Sequence, residues 1–401
     1  MSFRKPVALA ILVAMSAGRL NAEDRRYEIG STTDVVAGGS RGQGLAGTFT
    51  SASTPPGSFD YEIYPSVEMR SHTAHSTLEV SYAYGLSELS GFGYHTNSHG
   101  VSATLAGALG ANWKLTLSDS FQRASNFLTF NATRGVVSTP ENFIFNPASY
   151  NFLTETNSAT ARADYAVNEK STLSFSGSHS YLNYPQVAVF RGALSKQQRV
   201  SENITYSHKV THQGGWTLAY TGAYSDFTGA FENAHTHALS AGYFREIGRD
   251  LTLRLEAGPT YVQTAGAFGS YMGYNAQVSV QKPVKTNTLS MYYAHETGQS
   301  TGLGYVSDND RAGLGVSRPI GQSATLFIDV GVFDIRSQLG SAYSARGVSA
   351  AANLGIPLGR ALSLRWGAQY QHYAQTSIFG FEQKRVYLAL RFTPDSWKIS
   401  R

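Results

Sequence analysis

The first chemistry this chain offers is a set of charged side chains at two-residue spacing. Glu62, Glu68 and Arg70 fall on one side of a strand-like stretch. Arg162 with Asp164, Arg254 with Glu256, and Arg385 with Arg391 do the same elsewhere, and Glu79, Lys114, Arg199, Asp329 and Arg365 occupy equivalent positions. Carboxylates and guanidinium groups could serve acid–base or ion-binding chemistry. Here both signs are mixed and spread over the whole length, which suits handling of charged solutes better than bond making. His235 and His237, two apart on one face, form a candidate metal pair without a third ligand, and read better as polar rim residues. His179, His208 and His295 fall on the opposite, apolar side of their stretches. There is no GxSxG elbow, no HExxH and no phosphate-cradling glycine loop opening a helix. The chain has no cysteine, which excludes disulfides, thiolate metal sites and cysteine nucleophiles. We therefore assign no catalytic, cofactor or metal residues, and an enzyme is the least favoured class.

These charges need an element that alternates. In Arg385-Val386-Tyr387-Leu388-Ala389-Leu390-Arg391-Phe392 one face is wholly apolar and the other carries both arginines. Two architectures give that pattern. A soluble sheet puts the apolar face in its core. A membrane barrel turns it to lipid and keeps the charges in a wet interior. Composition favours the barrel: 401 residues with 15% charged, 40 glycines and 24 tyrosines, against about 25% charge in soluble domains. No apolar run reaches the roughly 20 residues of a membrane helix. On the lipid face each charge would cost about 2–4 kcal/mol at the midplane, and a dry sandwich core would require every one to be paired. The competing reading is a secreted β-sandwich or propeller. The net charge of +5 is modest, and no Lys/Arg run points to nucleic acid.

Taken in order, residues 1–22 read as a secretory signal peptide. Arg4 and Lys5 precede the short apolar stretch Val7 to Met15, with cleavage after Ala22. Residues 23–32 form a periplasmic lead-in, and 33–43 a weak first strand around Val35 and Val36. Residues 44–57 are a Gly/Ser/Thr/Pro loop. From Phe59 the two-residue period holds to 393, broken by a loop at 86–96 and a long, aromatic-rich loop at 124–157; 394–401 is a tail. Short turns alternate with longer polar connections, and Trp113, Trp216, Leu251, Leu289 and Leu362 follow short turns, as an interfacial girdle requires. About seventeen strands follow residue 59; periplasmic termini demand an even number, so 33–43 makes about eighteen, or sixteen if one assignment fails. The fold class is all-β, a transmembrane up-and-down antiparallel barrel wide enough for an aqueous channel.

The pattern over 33–393 resembles the general porins. That resemblance implies a passive outer-membrane channel for ions and small polar solutes, with loop 124–157, third of the long loops, folding into the lumen. The chain end is similar to the outer-membrane insertion signal through Arg385, Leu390 and Phe392, which implies recognition by the barrel-insertion machinery. The implied setting is the bacterial outer membrane and its lipid, with a homo-oligomer admitted. Two other functions share this architecture. One is a conduit for polysaccharide export, kept alive by inward Tyr64, Tyr271, Tyr292, Phe327 and Phe333. The other is an adhesive or structural surface barrel. Acids lead on 59–70 and 76–85 and bases on 362–374 and 384–393. Barrel closure brings these groups together, either as ion pairs or as a transverse field.

Overall fold

The computed structural model describes residues 26–44, 58–89, 94–125, 153–183, 196–228, 233–248, 250–264, 269–299, 306–321, 323–338, 344–375 and 381–400. Regular structure among them is entirely β. In chain order the strands are β1 (Arg26–Gly44), β2 (Ser58–His72), β3 (Ser76–Leu89), β4 (Tyr94–Leu109), β5 (Trp113–Ser125), β6 (Leu153–Asn168) and β7 (Ser171–Asn183). They continue as β8 (Lys196–Thr211), β9 (Gly214–Thr228), β10 (Ala234–Ile247), β11 (Leu251–Thr264), β12 (Ser270–Val284) and β13 (Asn287–Gln299). The last are β14 (Val306–Ile320), β15 (Ala324–Ser337), β16 (Ser344–Pro357), β17 (Leu362–Gln375), β18 (Phe381–Phe392) and the short β19 (Trp397–Ser400).

Each strand pairs antiparallel with its successor, and β18 pairs back onto β1, so the sheet closes and leaves no edge. β19 is not a further stave. It pairs with Arg26–Ile29 of β1, in line with β18, so the wall has eighteen staves. The even number follows from closure. The seventeen strands after residue 59 are β2–β18, and the weak first strand is β1.

Alternation decides which face is which. Val386, Leu388, Leu390 and Phe392 are exposed, while Arg385, Tyr387 and Ala389 between them are buried. The same parity runs round the wall through Phe59, Tyr61, Ile63, Val67, Val200, Ile204, Leu239, Met291, Ile328 and Val332, all exposed. An apolar belt of this extent in contact with water would be a large penalty; against lipid it is not. Glycines make the tight turns at one end. Gly110, Gly248 and Gly321 have φ of 72°, 66° and 64°, the left-handed region that costs a side-chain-bearing residue most. Trp113 packs tilted against Tyr165 at 4.8 Å beside the Gly110 turn, and Trp216 likewise against Tyr206 at 5.3 Å beside the β8–β9 turn.

Several boundaries differ from the sequence reading. The expected lead-in 23–32 is strand from Arg26, because it has partners on both sides, β2 and β19. The tail 394–401 contains β19 for the same reason. The loop expected at 86–96 is shorter: β3 runs to Leu89 and β4 starts at Tyr94. Strand also enters both ends of the expected loop 124–157, to Ser125 and from Leu153. The rest of that loop and the signal peptide 1–22 lie outside the described residues.

Candidate functional site

The inner wall is the face opposite the apolar belt. By strand parity Glu62, Glu68, Arg70, Glu79, Lys114, Arg162, Asp164, Arg199, Arg254, Glu256, Asp329, Arg365, Arg385 and Arg391 alternate with the exposed apolar residues and share the opposite face. Arg70 lies opposite Glu79, Lys114 opposite Asp164, Gly242 opposite Glu256 and Gly355 opposite Arg365. Hydroxyls fill the positions between the charges. Ser81 meets Ser102 at 2.6 Å, Ser178 meets Ser201 at 2.6 Å, and Asn203 donates to Thr221 at 2.8 Å.

Charges of opposite sign are brought together in pairs. Arg162 donates to Asp164 at 2.9 Å, and the Ser174 hydroxyl donates to the same carboxylate at 2.5 Å. Arg70 pairs with Glu68 and stands 3.5 Å from Glu79. Ser240 donates to Glu256 at 2.7 Å. The most buried pair lies at the closure seam. Arg385 of β18 reaches across β1 to Glu62 of β2 at 2.7 Å, with side-chain exposures of 4% and 2%. One level away Arg391 grips Asp34 of β1 through two nitrogens at 2.7 and 3.1 Å. Thus the acidic strands near the start and the basic strands near the end do meet, and at the seam they neutralise each other directly. Asp34, Glu296 and Arg311 also belong to the inner set and were not among the residues picked from sequence, although strand parity alone would have found them.

Inward aromatics lie flat against the wall. Tyr64 covers Gly85, Tyr292 covers Gly313, Phe333 covers Gly347 and Tyr387 covers Gly367, each a glycine of the neighbouring strand where a Cβ would strike the ring. Tyr292, Phe333 and Tyr387 are accordingly buried. They are part of the wall's packing rather than rails projecting from it.

The outer face carries a few polar groups. His237 bonds Tyr220 at 2.8 Å and His235 packs on Tyr224 at 4.8 Å. Among the described residues no group of three His, Cys, Asp or Glu is arranged to hold a metal. Glu202 is exposed between Val200 and Ile204, its carboxylate lying over Gly222.

The wall is not uniform. Pairing between β12 and β13 stops where Ala276 faces His295, although both strands continue. Beyond that point the Thr297 N–H donates to the side chain of Asn275 at 2.9 Å, and its hydroxyl donates to the Tyr274 carbonyl at 3.2 Å. Val306, at the start of β14, is 2% exposed and packs with Ala234 of β10 and Val262 of β11.

No protein-family model and no curated protein matches the chain. Solved structures do. OccK9 (OpdG) of Pseudomonas aeruginosa is 11% identical, with 92% of this chain and 98% of that one covered at a TM-score of 0.50. OpdQ of the same organism is 9% identical, with 93% and 98% covered at 0.47. Acinetobacter baumannii OccAB4 is 8% identical, with 94% and 98% covered at 0.48. At such identities the likeness is one of fold alone: a closed, antiparallel, eighteen-stave up-and-down barrel.

Proposed function

We propose that the protein is an outer-membrane channel through which ions and small polar solutes diffuse passively. The observation that carries this reading is the alternation around a closed sheet. Exposed apolar side chains form the outside, and charges and hydroxyls line the inside. A barrel of eighteen staves has an interior too wide for side chains alone to fill. The inner charges then act on solutes that pass, and the paired ones fix the wall. Leu390 and Phe392 of the insertion signal stay on the lipid face after folding, available to the insertion machinery during assembly, while Arg385 turns inward. The fold likeness is to barrels of the outer-membrane porin class. Aromatics lying flat on glycines argue against a polymer conduit, which needs rings standing proud of the wall.

The test is planar-bilayer recording of the purified protein under a salt gradient. Stable unitary currents with a reproducible reversal potential support the channel. Silence from protein that is folded by circular dichroism overturns it and moves the function to the surface loops.

A further inference from the structure

Beyond Ala276 and His295 the wall splits between β12 and β13, and the ends of β13 and β14, still paired with each other and with β15, lean inward as one unit. By strand parity Thr297 and Val306 belong to the outer face. Yet Thr297 sits on the inner side of Gly273, where a Cβ would collide with it, and Val306 is sealed against Ala234 and Val262, two inner-face residues that are 0% exposed. In a regular wall β11 and β14 would be three strands, or about 14 Å, apart. The two strand ends therefore cross the inside of β10–β12. Asp308 holds them there. Its carboxylate accepts from Tyr271 of β12 at 3.1 Å, Thr297 of β13 at 2.6 Å and Gln338 just after β15 at 2.7 Å. Beside it Asp310 accepts from Tyr293 at 2.7 Å and pairs with His295 at 2.9 Å, and the His295 ring stacks on Tyr274 at 4.0 Å. In a straight strand two carboxylates on the lipid-facing parity would be costly; here the lean turns Asp308 toward the Tyr271 donor on β12, and Asp310 is met by its cross-strand neighbours on β13.

The opposite parity of the same segment points into the lumen. Glu296 is 54% exposed and pairs with Arg311 at 2.5 Å. A narrow place with fixed charges and low-dielectric walls is where one charge has most effect on passing ions.

We propose that the inward-leaning ends of β13 and β14, latched by Asp308, form the constriction of this channel, and that Glu296 sets its ion preference. This rests on the channel reading above. With Glu296 neutralised, Arg311 remains, and the constriction turns toward anions.

Two measurements test it. First, the chain has no cysteine, so a Val262→Cys/Val306→Cys double variant of the full-length protein reports placement without background. A disulfide needs Cα atoms within about 7 Å. Rapid bond formation on oxidation, with wild-type conductance, is expected; no bond in folded protein overturns the lean. Second, in a potassium chloride gradient Glu296→Gln should move the reversal potential toward that of chloride, while Glu256→Gln, an inner charge on β11 outside the constriction, should move it much less. Asp308→Asn should raise unitary conductance roughly twofold by freeing the latch. Equal shifts for Glu296→Gln and Glu256→Gln would overturn the assignment of selectivity. A silent wild-type protein would remove the channel and its constriction together, with the cross-link still deciding where the strands lie.

Discussion

Glu62→Gln is the most informative single change to the wall. Glu62 and Arg385 join the second strand to the last across β1, at 2.7 Å and with side chains 2% and 4% exposed. The Arg385 guanidinium also lies over the Tyr387 ring at 5.5 Å, and Tyr387 fills the space above Gly367. Removing one member of a buried pair leaves the other as a buried charge without its counter-ion, a loss of about 3–5 kcal/mol. An exposed pair is worth about 0–1 kcal/mol. Arg162 with Asp164, 55% and 22% exposed, supplies that comparison within the same wall. We expect Glu62→Gln to cost several times what Arg162→Gln costs, and Glu62→Gln/Arg385→Met to recover much of the loss, since neither charge then remains buried. Reversible urea unfolding in lipid vesicles, followed by tryptophan fluorescence, gives each free energy. Equal costs for the two single variants, or a double variant that is simply additive, would refute the claim that this pair closes the seam.

Three further outcomes follow from the two faces of the wall. Leu388→Arg places a charge on the exposed apolar belt and should cost about 2–4 kcal/mol in the same assay, whereas Ser81→Arg on the inner face should cost far less. Gly347→Ala should destabilise by about 1–3 kcal/mol through collision with the Phe333 ring, while Gly39→Ala, where nothing stands within 4 Å, should be close to neutral. Glu202→Leu, which removes an exposed carboxylate from the outer belt, should stabilise the barrel by about 1–2 kcal/mol; no gain in vesicles would show that lipid does not reach that position.

Most of the wall was legible because the information is local. A period of two needs only neighbours along one strand, so the face of Arg254 or Leu388 can be read without knowing their partners. The ends of the barrel were not legible for the opposite reason. Arg26–Ile29 and Trp397–Ser400 carry little alternation of their own and are strand because each supplies the other's backbone hydrogen bonds across nearly the whole chain. The loop expected at 86–96 was overdrawn on similar grounds. Above the lipid a strand no longer needs an apolar outer face, so Ser87, Asn97 and Ser98 look like loop while their backbones remain paired.

The leaning strands show where a periodic reading meets its limit and how that limit can be read. Parity assigns Asp308 and Asp310 to lipid, a placement the membrane would penalise at both positions. A sequence that keeps the alternation everywhere else and breaks it with two carboxylates on adjacent outward positions is stating a conflict, and only two physical resolutions exist. Either that part of the strand stands above the lipid, or it leaves the wall and finds donors inside. Asp334, Arg336 and Arg346 take the first route: they pair with one another near the strand ends, and both arginines stay largely exposed. Asp308 takes the second, surrounded by Tyr271, Thr297 and Gln338. What distinguishes them beforehand is the same-face residue toward the strand end, Val306 beyond Asp308 but Arg336 beyond Asp334. Beside Asp308 stands Val306, which in solvent would gain nothing and against Ala234 and Val262 is almost completely buried. Outward-parity carboxylates with an apolar residue on their strand-end side should therefore be examined first for inward-folded strand ends in barrels of this size. Val306→Ser tests the energetic half of that argument here, because it should release the lean while leaving every hydrogen bond of Asp308 chemically intact.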